Sequence, residues 1–168
     1  MQRRSLLKLG AASAVVLAVA GGAAALLQAG LQNGRLSLSG REVFKAVGRA
    51  VLDRSLPTDD AARQAALQGL LDRIDGLTLA LPKHAQEELS QLLSLLAGAP
   101  GRRALAGLSQ AWASASEARI QQALQAMRVS SLALRQQAYA ALHDIAAAAY
   151  FSDASTWTQL GYAGPTRI

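Results

Sequence analysis

The spacing of apolar residues constrains the fold of this 168-residue chain more than any other feature. In three successive stretches they recur every three or four positions, which places them on one face of an α-helix. The positions are Val43, Phe44, Val47, Val51 and Leu52; then Leu67, Leu70, Leu71, Ile74 and Leu77; then Leu89, Leu92, Leu93 and Leu96. No stretch shows the sustained alternation of apolar and polar residues that predicts paired strands. The sequence therefore predicts an all-α fold with no sheet.

Glycines, prolines and capping residues mark the expected ends of the helices. Thr58 is the expected cap of the second helix, and the residues from Leu77 to Leu81 are expected to link it to the third. The expected helices cover residues 41–56, 59–76, 82–97, 102–112, 114–127 and 132–152. Val129 to Ser131 is either a break or a weak point in one longer helix. We therefore expect an irregular bundle of about five helices.

The N-terminal sequence has the pattern of an export signal. Its charged and apolar motif consists of Arg3, Arg4, Leu6, Leu7 and Lys8. Residues 9–34 carry no formal charge, and residues 9–27 contain only Leu, Val, Ala, Gly and Ser. This pattern resembles a twin-arginine signal, which implies recognition by the twin-arginine translocon and export to the periplasm. Residues 1–34 are accordingly assigned as a signal or anchor, and residues 35–168 as a helical domain.

The fate of this segment has two alternatives in the sequence. The sequences Ala18-Val19-Ala20 and, more weakly, Leu27-Gln28-Ala29 offer cleavage sites that end in a small residue. Alternatively, the apolar residues remain as an uncleaved anchor at the inner membrane, because a helix of this length spans roughly the core of a bilayer. Both alternatives keep the N-terminal cations on the cytoplasmic side.

Composition excludes several classes of function. The chain has no cysteine, which excludes disulfides, thiolate metal sites and covalent haem attachment. Its formal charge of +6 includes three cations of the signal, so the remainder carries only +3. No patch of cations interleaved with aromatic residues remains, and nucleic acid is not an expected partner.

Histidines are too few and too poorly placed to predict an active site. His84 precedes Glu87 and Glu88 by about one helical turn. Carboxylates near the start of a helix interact favourably with its dipole, which accounts for these glutamates without a metal. His143 and Asp144 are adjacent, so their side chains are expected to diverge on a helix and not to pair. We therefore expect no catalytic, metal-binding or cofactor-binding residue in this chain.

Aromatic residues concentrate near the C-terminus. Five of the seven lie in the last 30 residues of the chain. Two compatible interpretations follow: the segment caps the bundle as a local core, or it docks a partner through large aromatic contacts. The candidate partner-binding residues are Tyr150, Phe151, Trp157, Gly161, Tyr162, Gly164 and Pro165.

This C-terminal sequence, residues 150–165, resembles the end of the gluconate 2-dehydrogenase subunit 3 family. The Leu-Pro turn at residues 56–59 and the twin-arginine motif agree with that family, while Ala163 and Ala61 to Ala62 depart from it. The resemblance implies a small helical subunit without catalytic residues. Its partner would be the large FAD-containing subunit of a dehydrogenase of the glucose-methanol-choline type, often with a cytochrome c subunit.

The family resemblance and the export signal together suggest an escort. A large subunit that takes up FAD in the cytoplasm and lacks its own signal can be exported while bound to this chain. The alternative is a free-standing, membrane-anchored helical adaptor of the cell envelope, which would have no stoichiometric flavoprotein partner.

Overall fold

The computed structural model describes residues 28–162, except the side chains of residues 158–160. The predicted export motif and the candidate residues Gly164 and Pro165 lie outside this range. Within it the chain forms one short hairpin, six α-helices and a final 3-10 helix. The α-helices are α1 (Leu38–Val51), α2 (Asp60–Ala80), α3 (Lys83–Ala97), α4 (Ala99–Ala106), α5 (Glu117–Arg128) and α6 (Ala133–Phe151). The predicted all-α bundle is confirmed.

Helix α1 lies at the centre of the bundle and packs against α2, α3, α5 and α6. Its stripe residues Val43, Phe44 and Val47 are fully buried. The helix begins before the predicted start, because the Ser37 hydroxyl caps it by accepting a hydrogen bond from the Gly40 amide at 3.2 Å. Gly40 thus lies inside the first turn, and the predicted start of this helix at residue 41 is wrong.

Helix α2 differs from the prediction at both ends. Asp59, not Thr58, is its cap, with the carboxylate accepting from the Ala62 amide at 2.8 Å. The helix continues through Gly76 to Ala80, so the predicted link over residues 77–81 is wrong. A single glycine is tolerated inside a helix, so α2 continues past Gly76. Pro82 instead disfavours helical backbone at the residue before it, and the helix ends there.

The junction between α3 and α4 is shorter than the sequence suggested. Gly98 ends α3, and α4 begins at the next residue with Pro100 in its first turn, where proline is tolerated. The predicted helix over residues 102–112 is wrong, because α4 ends at Gly107, whose φ of 67° is left-handed. Trp112 lies in the following loop, is 2% exposed, and donates from Nε1 to the Leu96 carbonyl at 2.7 Å.

The later helices agree with the sequence. Ser116 caps α5, and the residues from Val129 to Ser131 form a break and not a weak point. Helix α6 ends at Phe151, within a residue of the expected end.

A two-stranded hairpin precedes the helices and contradicts the prediction of no sheet. Strands β1 (Leu31–Gln32) and β2 (Arg35–Leu36) pair in antiparallel register. Asn33 and Gly34 join them with φ angles of 52° and 76°, the conformation of a tight two-residue turn. Each strand has only two residues, too few for any alternation to appear in the sequence. The hairpin crosses the boundary assigned between residues 34 and 35.

Helices α2 and α3 hold the hairpin in place. The Leu31 amide donates to Ser90 Oγ at 3.0 Å, and the Leu36 amide donates to Asp75 Oδ1 at 2.7 Å. Asp75 also accepts from Arg41 at 2.7 Å through its other oxygen. This buried carboxylate therefore joins β2, α2 and α1.

Candidate partner-binding site

The C-terminal segment begins with a tyrosine that belongs to the core. Tyr150 is 3% exposed, and its hydroxyl donates to the Ser55 carbonyl at 2.6 Å. The ring of Phe151 meets it edge to face, with centroids 5.2 Å apart, and is partly buried. Of these two candidate residues, only Phe151 leaves surface for a partner.

Asp153 organises the turn that follows α6. Its Oδ1 atom accepts from both the amide and the hydroxyl of Ser155, at 2.9 and 2.8 Å. These hydrogen bonds lower the pKa of Asp153 below its usual value, and the positive charge of Arg73 makes a smaller contribution in the same direction. The Thr156 amide donates to the Asp153 carbonyl at 3.0 Å, which starts the 3-10 helix (Ala154–Leu160). Asp153 therefore caps the turn that leads to Trp157.

Arg73 of α2 binds this turn to the bundle. Its Nη1 atom lies 3.0 Å from Asp153 Oδ2, and its Nε donates to the Ala149 carbonyl at 2.7 Å. The same guanidinium thus holds both the last turn of α6 and the start of the 3-10 helix.

Trp157 and Tyr162 form an aromatic pair on this support. The Trp157 indole donates to the Phe151 carbonyl at 2.8 Å, and its ring centroid lies 5.4 Å from that of Tyr162. The Tyr162 amide donates back to the Trp157 carbonyl at 3.1 Å, across Gly161 with a φ of 68°. A residue with a Cβ rarely adopts that backbone conformation, which accounts for glycine here.

The exposure of this pair suits a contact surface. Tyr162 is 51% exposed, whereas Trp157 is partly buried. The hydrogen bond from its indole to the Phe151 carbonyl fixes the Trp157 ring, so little conformational entropy remains to be lost when another surface covers it. The arrangement can therefore present a rigid aromatic surface to a partner.

The histidines lie elsewhere. His84 is exposed near the start of α3. His143 and Asp144 do pair, with Nδ1 3.0 Å from Oδ1, so the expectation that they diverge is wrong. Rotation about the side-chain bonds brings neighbouring groups together despite their different directions from the helix. The pair is exposed at 41% and 76%, and His143 also stacks on Tyr139.

The remaining observations concern residues 28–162 only. Among them, no group of three or more potential metal ligands comes together. None of the helices in this range is sufficiently long and apolar to cross a membrane.

The fold and the C-terminal segment define a helical bundle that presents a fixed aromatic surface. Compared with protein-family models, curated proteins and solved structures, the chain gives no significant match. The resemblance to the gluconate 2-dehydrogenase subunit 3 family stays a prediction that depends on the residues given above.

Proposed function

We propose that this chain is the non-catalytic small subunit of an exported dehydrogenase of the glucose-methanol-choline type. It binds the large FAD-containing subunit, escorts it through the twin-arginine translocon, and scaffolds it in the periplasm. A cytochrome c subunit would complete the complex and accept the electrons.

The aromatic pair of Trp157 and Tyr162 is the observation that carries this proposal. Its residues lie in the part of the sequence with the most specific family resemblance. Their geometry fits a contact surface, because a hydrogen bond holds the Trp157 ring, and the Tyr162 ring packs against it while remaining half exposed. Aromatic anchors of this kind contribute much of the affinity at interfaces.

The choice of export route also supports an escort. The twin-arginine pathway carries folded proteins, yet this chain has no cysteine and no recognised cofactor motif that would require folding before export. A partner that must take up FAD in the cytoplasm supplies the missing reason.

The binding test uses the full chain with an affinity tag, produced in its native cells. We expect a large protein with a flavin absorption spectrum to co-purify with it. Trp157→Ala and Tyr162→Ala should each weaken the affinity for the flavoprotein about thirtyfold, which is equivalent to about 2 kcal/mol. Less flavoprotein should therefore co-purify with either variant. Val129→Ala is the matched control, since Val129 is 66% exposed and lies in the turn before α6.

Two outcomes would contradict the proposal. If no flavoprotein co-purifies with the unaltered chain, the alternative of a free-standing envelope adaptor is favoured. If the flavoprotein is retained while the melting temperature of the isolated Trp157→Ala chain collapses, the segment is core and the docking surface lies on the helices.

The export step has its own test. The double variant Arg3→Lys, Arg4→Lys should remain in the cytoplasm, because the twin-arginine receptor distinguishes guanidinium from ammonium groups. Fractionation with a periplasmic marker checks this. Unchanged export would show that the segment uses another route.

A further inference from the structure

One leucine at the start of the bundle is left almost entirely uncovered. Leu38, the first residue of α1, is 85% exposed and is the most exposed large apolar residue among the described side chains. By contrast, Leu31 and Leu36 of the adjoining hairpin are buried. Leu38 is thus an apolar side chain for which residues 28–162 provide no cover.

Leu38 borders a surface depression of about 330 Å³. The other residues that line it are Gln28, Ala29, Gln32 and Ser37. The volume is about twice that of a protein cavity that holds one benzene molecule, so apolar side chains fit into it. None of the five lining residues is charged, and the depression therefore suits an uncharged occupant.

The start of the described chain is fixed at the edge of this depression. The Ser94 hydroxyl donates to the Gln28 carbonyl, and the Ser37 amide donates to the Gly30 carbonyl at 3.0 Å. Gln28 itself lines the depression. Consecutive Cα atoms are about 3.8 Å apart, so Leu27 is within reach of the depression by covalent connection alone.

The segment that precedes Gln28 has the chemistry that the depression requires. Residues 20–27 carry no charge, and only Leu26 and Leu27 among them have large side chains, because the others are alanine or glycine. A segment attached beside its binding surface loses little entropy when it docks, since the loop that must close is very short. A lipid, a second copy or a separate protein would have to be recruited from solution, at a much larger entropic cost.

From these observations we propose that Leu26 and Leu27 dock in the depression and cover Leu38. The surface around Leu38 is then an intramolecular docking surface for the end of the apolar N-terminal segment. This inference goes beyond the proposed function and does not depend on it, because it requires neither the flavoprotein nor the twin-arginine route. Both leucines would stay with the folded domain if the segment were cut after Ala20.

Disulfide trapping tests the proximity, because the chain has no cysteine of its own. Leu27→Cys is combined with Leu38→Cys in one full-length chain and with Lys45→Cys in another. Lys45 is the matched control, since it is exposed on the same helix seven residues later, about 10 Å along the axis. A disulfide requires Cα atoms within about 7 Å of each other.

Under mild oxidation, mass spectrometry should show the disulfide between positions 27 and 38 forming about tenfold faster than that between positions 27 and 45. Equal rates for the two pairs, or no disulfide in either, would overturn the proposal.

A second measurement tests whether the two leucines cover Leu38. Leu38→Cys is introduced alone into the full-length chain, and its rate of reaction with a water-soluble maleimide is followed. Adding Leu26→Ser, Leu27→Ser should raise this rate about tenfold, the factor that corresponds to exposing a buried leucine. The matched control, Val15→Ser, Val16→Ser, removes apolar groups from the same segment and should leave the rate unchanged.

Equal maleimide rates in all three chains would contradict the docking of Leu26 and Leu27. Protection of position 38 that disappears on dilution would instead identify a second copy of the chain as the occupant. Protection that appears only when phosphatidylcholine vesicles are added would identify lipid, and either result would overturn the proposal.

Discussion

Arg73 and Asp153 are 80 residues apart in the sequence, and Arg73 Nη1 lies 3.0 Å from Asp153 Oδ2. The guanidinium also donates to the Ala149 carbonyl at 2.7 Å. This arrangement fixes the C-terminal segment to the middle of the bundle, although the 3-10 helix itself contacts mainly α6. The orientation of Trp157 and Tyr162 therefore depends on a residue of α2 that neither aromatic residue contacts through a hydrogen bond.

Removal of this arginine should release the C-terminal segment without unfolding the bundle. In Arg73→Ala, the amides of residues 154–162 should exchange hydrogen faster, while the amides of α1 keep their protection. Mass spectrometry of exchanged peptides measures this. Arg54→Ala is the control, since Arg54 is exposed and forms no ion pair among residues 28–162. If the amides of residues 154–162 exchange at the same rate in Arg73→Ala as in the native chain, Arg73 does not hold this segment in place.

Acid should weaken the same contact. Because the folded chain lowers the pKa of Asp153, the carboxylate contributes stability above its unfolded pKa of about 3.9 and loses it as the pH falls through the lower folded value. The stability difference between the native chain and Asp153→Asn should be present at neutral pH and shrink below about pH 4. Urea denaturation at several pH values tests this. A difference that stays constant with pH would exclude this linkage.

Gly30 should not tolerate a methyl group. A Cβ at this position would clash with Leu93 and lie 2.6 Å from the Ser90 carbonyl oxygen. We expect Gly30→Ala to lower the free energy of unfolding by about 1 to 3 kcal/mol, the usual cost of overpacking. Gly76→Ala is the matched control, because nothing lies within 4 Å of its Cβ and it is inside α2. Gly76→Ala should raise the free energy of unfolding by about 0.5 to 1 kcal/mol. If Gly30→Ala and Gly76→Ala change this free energy equally, the close packing of Gly30 on α3 is contradicted.

The two tryptophans should differ in their contribution to stability. Trp112→Ala should cost about 3 to 5 kcal/mol of unfolding free energy, because a large buried side chain is removed. Trp112→Phe keeps most of the volume but leaves the Leu96 carbonyl without its donor, at a cost of about 1 to 3 kcal/mol. Chemical denaturation measures both. The partly buried Trp157 should matter less, and a Trp112→Ala loss below that of Trp157→Ala would contradict this assignment.

The sequence predicted the parts of the fold that depend on local physical chemistry. Buried stripe residues such as Leu70, Ile74 and Leu93 follow from helical spacing alone, and all three are fully buried. The start of α5 near Ser116 follows from short-range preferences, whereas the sequence left open whether residues 129–131 break the helix. In the candidate site, the cap at Asp153 and the positive φ of Gly161 were also accessible, because each depends on its neighbours in sequence.

What the sequence could not provide depends on contacts between distant residues. The hairpin has two residues in each strand, and its amides are satisfied by Ser90 and Asp75 on other helices. The Asn33 to Gly34 pair was its one local signal. In the sequence, nothing separates Tyr150 from the other aromatic candidates. Its place in the core is fixed by the hydrogen bond that its hydroxyl donates to the carbonyl of Ser55, 95 residues away. No sequence pattern indicates the contacts of Arg73 with Asp153 and with the Ala149 carbonyl.

The burial of Gly30 has a consequence for proteolytic processing. A cut after Ala29 would fall beside a residue whose carbonyl accepts from the Ser37 amide and which packs on α3, so a protease would first have to pull the hairpin away. Proteases act preferentially on chain that is free of such contacts. A cut after Ala20 would fall nine residues earlier and leave every one of these contacts intact. If residues 1–34 include the proposed signal and it is cleaved, the mature N-terminus is therefore expected at Gly21.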